Sequence, residues 1–184
     1  MNIVLIGPRG VGKSRLARML SILTKRPVLS TDLLISYEHQ GLSIPALLQR
    51  HQGDWRVFRE MEYAVVEKIA HLDDIIIDAG GGLVVDLDST GAECFSHRKV
   101  AALKRHGVLV WLTGDLGRLA RKVATDATRP LLSAQHAEET IMRRREPFYQ
   151  QAADLTLNVE GRRVKSLAYL LLEQIVLVPE GEGG

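Results

Sequence analysis

The stretch Asn2-Ile3-Val4-Leu5-Ile6-Gly7-Pro8-Arg9-Gly10-Val11-Gly12-Lys13-Ser14 decides the fold of this 184-residue chain. Residues 2–6 form an unbroken apolar run ending at glycine, the pattern of a strand buried on both faces. Residues 7–14 fit G-x-x-x-x-G-K-[ST], and the chain then turns to helical periodicity, with Leu16, Met19, Leu20 and Leu23 three or four residues apart. Strand, glycine-rich turn and helix in this order make a cradle in which backbone N–H groups and the helix's positive end face phosphate oxygens. Gly10, Val11, Gly12, Lys13, Ser14 and Arg15 are the candidate nucleotide contacts. Lys13 is expected at the β- and γ-phosphates, and the Ser14 hydroxyl at a Mg²⁺ ion. The expected ligand is a nucleoside triphosphate.

Outward from this motif, short apolar runs at 27–30, 74–78, 108–112 and 154–158 alternate with helical stretches, including 12–24, 55–72 and 163–176. That alternation predicts βαβ units, hence a three-layer α/β/α fold around a five-stranded parallel sheet. Helix 55–72 is expected to bury Phe58, Met61, Val65, Ile69 and Leu72, with Arg59 and Glu62 beside that stripe. The C-terminal helix repeats the pattern through Val164, Leu167, Leu171 and Ile175. One domain over residues 1–176 accounts for these elements, and 177–184 read as a flexible tail with nothing to bury.

Composition narrows the function. With 46% hydrophobic and 25% charged residues the chain is neither disordered nor fibrous. Its 24 basic and 22 acidic side chains leave a net charge of +2, and its aromatic content is 5%, so no surface for nucleic acid is expected. No apolar run approaches the roughly 20 residues of a membrane span. The N-terminus lacks the charged segment of a signal peptide, and Cys94 is a single cysteine, so a cytoplasmic location is expected. No Asn-Lys-x-Asp base-reading motif is present and the chain is too short for a motor's extra domains, which leaves a kinase for a small acceptor.

Four further segments carry a family resemblance: Ser30-Thr31-Asp32, Phe58-Arg59 on the third predicted helix, Gly80-Gly81-Gly82, and Arg129-Pro130-Leu131-Leu132 followed by Arg145. With the phosphate loop, their order and spacing resemble the shikimate kinase family over about residues 1 to 176. The resemblance implies a P-loop NTPase fold with a lid, commonly monomeric, and ATP-dependent phosphorylation of the 3-hydroxyl of shikimate on the way to aromatic amino acids. It also implies that Arg59 and Arg145 hold the acceptor carboxylate, and that Asp32 binds the hydroxyls and orients or deprotonates the attacking oxygen. Gly80, Gly81 and Gly82 would form the substrate loop, within a substrate-binding region at about 32–62. Arg129, in a lid at about 124–136, would neutralise the transferring phosphoryl group, and Lys122, with Arg121, would lie against adenine. Lys13, Asp32 and Arg129 are thus the catalytic candidates.

The chemistry of each residue is compatible with its role. A guanidinium matches a carboxylate with two parallel hydrogen bonds, a carboxylate can accept a hydroxyl proton, and glycine lets backbone approach a ring closely. Blander readings exist beside these. Arg59 is also the i,i+3 partner of Glu62 on a solvated helix face, Arg145 ends the basic run Arg143-Arg144-Arg145, and Asp32 suits a helix N-cap. Paired arginines would serve another small hydroxy acid such as gluconate, and the glycine triplet and Arg-Pro-Leu-Leu favour shikimate. A non-catalytic nucleotide-binding module of the same fold is the other alternative, against which stand Lys13, Ser14, Arg129 and both clamp arginines.

The chain departs from the family at three places. Ser30 stands where an aspartate near magnesium is usual. Asp78, ending the third apolar run, stands where the family often has an uncharged residue, and is expected to restore that charge as a metal ligand with Ser14. The segment 86–107 is longer than usual and reads as a surface loop plus a helix.

Overall fold

A computed structural model of the chain, describing residues 1–124 and 138–177, turns the opening apolar run into β1 (Asn2–Ile6), buried at every position. Ile3 and Leu5 face one helical layer and Val4 and Ile6 the other, which is why this strand carries no polar face. Four more strands join it: β2 (Val28–Ser30), β3 (Ile76–Asp78), β6 (Gly107–Thr113) and β7 (Leu155–Asn158). All pair in parallel, in the order β2-β3-β1-β6-β7.

On one face, α1 (Lys13–Thr24), α6 (Leu116–Ala124) and α8 (Val164–Val176) bury Leu16, Leu20, Leu119, Leu167 and Leu171. The other face is covered by α2 (Thr31–Glu38), α3 (Ile44–Arg50), α4 (Trp55–Ile69) and α5 (His97–Lys104), with Tyr149 of α7 (Glu138–Ala152). The expected three-layer sheet is therefore present.

Several boundaries differ for local physical reasons. β3 starts two residues late because Asp74 adopts a left-handed turn with φ 55°. The helix from Trp55 ends at Ile69, and Leu72 is exposed rather than core, because its carbonyl accepts from the Asn2 amide as the chain turns toward β3. That helix is the fourth, since the short α3, capped by the Ser43 hydroxyl, precedes it. Segment 86–107 is more than a loop and a helix: β4 (Val85–Leu87) and β5 (Glu93–Phe95) pair antiparallel before α5. The Asp88 carboxylate closes this hairpin by accepting from the Thr90 and Ala92 N–H groups.

Among the described residues no helix is long and apolar enough to cross a membrane. Arg129 and the lid expected at 124–136 lie, past Ala124, outside the described residues, as do residues 178–184 of the expected tail.

Candidate active site

A cleft of about 820 Å³ opens beyond the C-terminal ends of β1, β2 and β3, where β1 turns into the phosphate loop and open parallel sheets bind their ligands. It gathers Gly10, Gly12, Lys13, Ser14, Arg15, Asp32, Arg59, Asp78, Gly80, Gly81, Gly82, Lys122 and Arg145. Val11 stands apart, its side chain buried in the hydrophobic layer beneath the loop. Arg121 is exposed and does not line the cleft.

At the phosphate end, Gly7 has φ +137°, and a Cβ there would lie 2.5 Å from the Leu112 carbonyl oxygen. Only glycine lets the loop pass this close to β6. The helix α1 begins at Lys13, after the N-cap Gly12, with no side-chain cap and no acidic residue in its first turn. Its positive end is therefore not neutralised from within the helix. The Lys13 ammonium arches back to donate to the Gly7 and Pro8 carbonyls at 2.8 and 3.0 Å. Lys122 donates to the Gly10 carbonyl at 2.9 Å, which ties α6 to the loop rim.

Carboxylates occupy the middle of the cleft. Parallel register sets Ser30 beside Asp78 on neighbouring strands, so the hydroxyl and the carboxylate singled out in the sequence are neighbours. Asp32 is not the N-cap of α2. Ser30 holds that position, without a side-chain cap bond, and Asp32 lies in the first turn. Burial, then the charges of Glu62 and Asp78, push the Asp32 carboxyl up to about 6, against the pull of Lys13 and Arg9. A carboxyl so tuned is matched to accepting a proton near neutral pH. Ser14, Asp32 and Asp78 also offer oxygen donors to the same cleft, which fits a hard cation such as Mg²⁺ held mainly by phosphates and water.

At the far end are the two arginines, each only 4% exposed. Arg59 does pair with Glu62, Nη1 to Oε2 at 2.8 Å, but the pair is buried rather than solvated. Nη1 also donates to the Gly82 carbonyl at 3.2 Å, the guanidinium lies over Trp55 and Phe58, and its buried Nε has no hydrogen-bond partner. A buried charged donor without a partner is costly, so this side chain, which lines the cleft, is not fully satisfied within the protein. Arg145 donates to both Glu93 oxygens and, at 3.4 Å, to the Gly81 carbonyl, which the Tyr149 hydroxyl also donates to.

The glycine triplet is explained by these side chains. A Cβ on Gly80 would lie 2.4 Å from Asp32 Oδ1, one on Gly81 2.9 Å from Arg9 Cγ, and one on Gly82 2.6 Å from Arg59 Nη1. Backbone without side chains is what allows two charged groups to reach the cleft.

Three residues that set this geometry have no motif of their own. Lys99, fully buried, donates to Glu62 at 2.9 Å and to the Val85 carbonyl at 2.6 Å. Burial alone would raise the Glu93 carboxyl, but hydrogen bonds from Arg145 and Arg144 hold it below its ordinary value. Burial and nearby Glu93 push the Tyr149 phenol up to about 12, although Arg145 opposes them, so it stays a neutral donor. Only the position of Glu62 three residues after Arg59 was visible in the sequence.

Comparison with known proteins converges on one family. The shikimate kinase family model matches residues 9–176. The shikimate kinase of Leptospira borgpetersenii serovar Hardjo-bovis is 40% identical over 174 residues, covering 95% of this chain and 97% of its own. Among solved structures, the shikimate kinase from Acinetobacter baumannii in complex with shikimate superposes with a TM-score of 0.80 at 27% identity, over 96% of this chain and 93% of that one. The Aquifex aeolicus shikimate kinase shares the fold at a TM-score of 0.77 and 23% identity, over the whole of both chains.

Gly82→Ala tests the close approach. The added methyl should displace the Arg59 guanidinium and raise the acceptor KM about tenfold or more, as misplacement by an ångström does. Nucleotide affinity, measured by titration, should stay within about twofold, because the phosphate loop is untouched.

Proposed function

This chain belongs to the shikimate kinase family, and we propose that the cleft between its phosphate loop and its two buried arginines is where ATP and shikimate meet. Its activity is the ATP-dependent phosphorylation of the shikimate 3-hydroxyl, giving shikimate 3-phosphate and ADP, within aromatic amino-acid biosynthesis. The observation that carries the site assignment is the convergence of Arg59 and Arg145, both buried, on the cleft that also contains Asp32 and Lys13.

In this reading the N–H groups of residues 10–15 and the Lys13 ammonium bind the triphosphate, with Lys122 beside the nucleotide. Arg59 and Arg145 fix shikimate by its carboxylate, and the N–H groups of Gly80, Gly81 and Gly82 face its ring. Asp32 accepts the proton of the 3-hydroxyl as that oxygen bonds to the γ-phosphorus and the bond to ADP breaks. Arg129, by the family resemblance, would offset charge on the transferring phosphoryl group. Ser14 and Asp78 would hold a magnesium ion, which would offset phosphate charge. The enzyme works as one kinase domain, monomeric and cytoplasmic, on small molecules rather than on nucleic acid or membranes.

The direct assay is ADP release with ATP and magnesium against shikimate, quinate, gluconate and no acceptor. Turnover with shikimate well above the rest is expected, and turnover with gluconate alone would overturn the assignment. The acidic limb of kcat/KM should fall at about pH 6, where Asp32 gains a proton. Since its folded value lies above the unfolded 3.8, Asp32 disfavours folding as pH rises through that interval. Asp32→Asn should therefore abolish turnover yet raise Tm at pH 7.5, with the gain vanishing below about pH 4. Asp78→Ala should raise the magnesium needed for half-maximal rate about tenfold while shikimate affinity stays within about twofold. Unchanged metal dependence would remove Asp78 from the metal site.

A further inference from the structure

We propose that Glu93, on the β4–β5 hairpin, is a positioning residue for the acceptor: it grips one edge of the Arg145 guanidinium and so aims the other edge at the acceptor carboxylate. The inference rests on the reading of Arg145 as half of the carboxylate clamp.

The geometry is that of an edge-on ion pair. Arg145 Nε lies 3.1 and 3.2 Å from the two Glu93 oxygens, and Nη2 donates to the same carboxylate. A guanidinium has five N–H donors in a rigid fork. Glu93 takes the Nε–Nη2 edge, and Nη1 leans to the Gly81 carbonyl at 3.4 Å. The Nη1–Nη2 edge remains the one with fork geometry for a second carboxylate.

A carboxylate on a clamp arginine could also be a competitor that leaves when the acceptor arrives. The surroundings of Glu93 favour a fixed brace. Arg144 holds its Oε2 from the other side, with Nε at 2.9 Å and Nη2 at 2.8 Å. Its backbone is paired with Leu87 in the hairpin, and the neighbouring Asp86 is anchored by Arg98 at 3.0 Å and Lys99 at 3.4 Å. The Glu93 side chain is 11% exposed, so expulsion would strand a nearly buried charge with one partner fewer.

The two roles predict opposite signs. Glu93→Gln keeps size and an acceptor oxygen but removes the charge. Steady-state kinetics with shikimate and with its uncharged carboxamide read the effect. A positioning role raises the shikimate KM about tenfold, the scale of coupling between groups in contact, with the KM values of the carboxamide and ATP within about twofold of the unsubstituted enzyme. Equal rises for both acceptors would overturn the proposal, because Glu93 would then only support the fold. A lower shikimate KM would overturn it in favour of the competitor, and an unchanged one would overturn it outright.

Arg144→Met, on the exposed side, loosens the same grip and serves if Glu93→Gln fails to fold. It should raise the shikimate KM by about threefold and spare the carboxamide, and no rise would count against the proposal. Arg145→Lys separates the premises. If it leaves the shikimate KM unchanged, the clamp itself fails. If it raises that KM while Glu93→Gln does not, only the role of Glu93 fails.

Discussion

One buried carboxylate, that of Glu62, holds the arginine end of the cleft in place. It receives Arg59 Nη1 at 2.8 Å and Lys99 Nζ at 2.9 Å, with all three side chains removed from water. Each buried ion costs several kcal/mol in desolvation, which only close partners offset, so none of the three can move independently. Removing Glu62 alone would leave two cations buried together, a change on the order of 3–5 kcal/mol. The arrangement joins α4 to α5 and, through Lys99 and Asp86, to the hairpin. It also reaches the chemistry, because the charge of Glu62 helps raise the Asp32 carboxyl to about 6.

The two ends of the cleft use glycine for related reasons. At Gly7 the absence of Cβ lets the phosphate loop pass against the Leu112 carbonyl, and at Gly80 and Gly82 it makes room for the Asp32 carboxylate and the Arg59 guanidinium. The loops are thus shaped by the charged groups they must admit. Between them, Ser30 and Asp78 share a rung of the β2–β3 ladder. A carboxylate at either strand end would therefore lie in the same part of the cleft.

Much of this is legible in the chain because buried parallel strands are continuous apolar runs. The five sheet strands lie where those runs lie, and β1 matches at both ends. The phosphate loop is visible because residue identity and spacing carry its chemistry, whereas the pairing of Arg59 with Arg145 is what the family resemblance implies. What escapes is whatever depends on distant partners. Lys99 reads as an ordinary helix charge, yet its carboxylate partner is 37 residues away, and Glu93 meets Arg145 across 52 residues. The hairpin escapes because strands of three residues are too short to show alternation. The blander reading of Asp32 as a cap misses by position, because a capping aspartate and a first-turn aspartate differ by only a residue or two in sequence.

The central claim is that two buried guanidinia, fixed from behind by Glu62 and Glu93, take the acceptor by its carboxylate. Calorimetric titration of the nucleotide-loaded enzyme with shikimate and with its carboxamide measures this directly, since the two ligands differ in charge and hardly in shape. The account predicts binding of the carboxamide about a hundredfold weaker, the scale of a lost bidentate charged contact. Equal affinity for the two would contradict it.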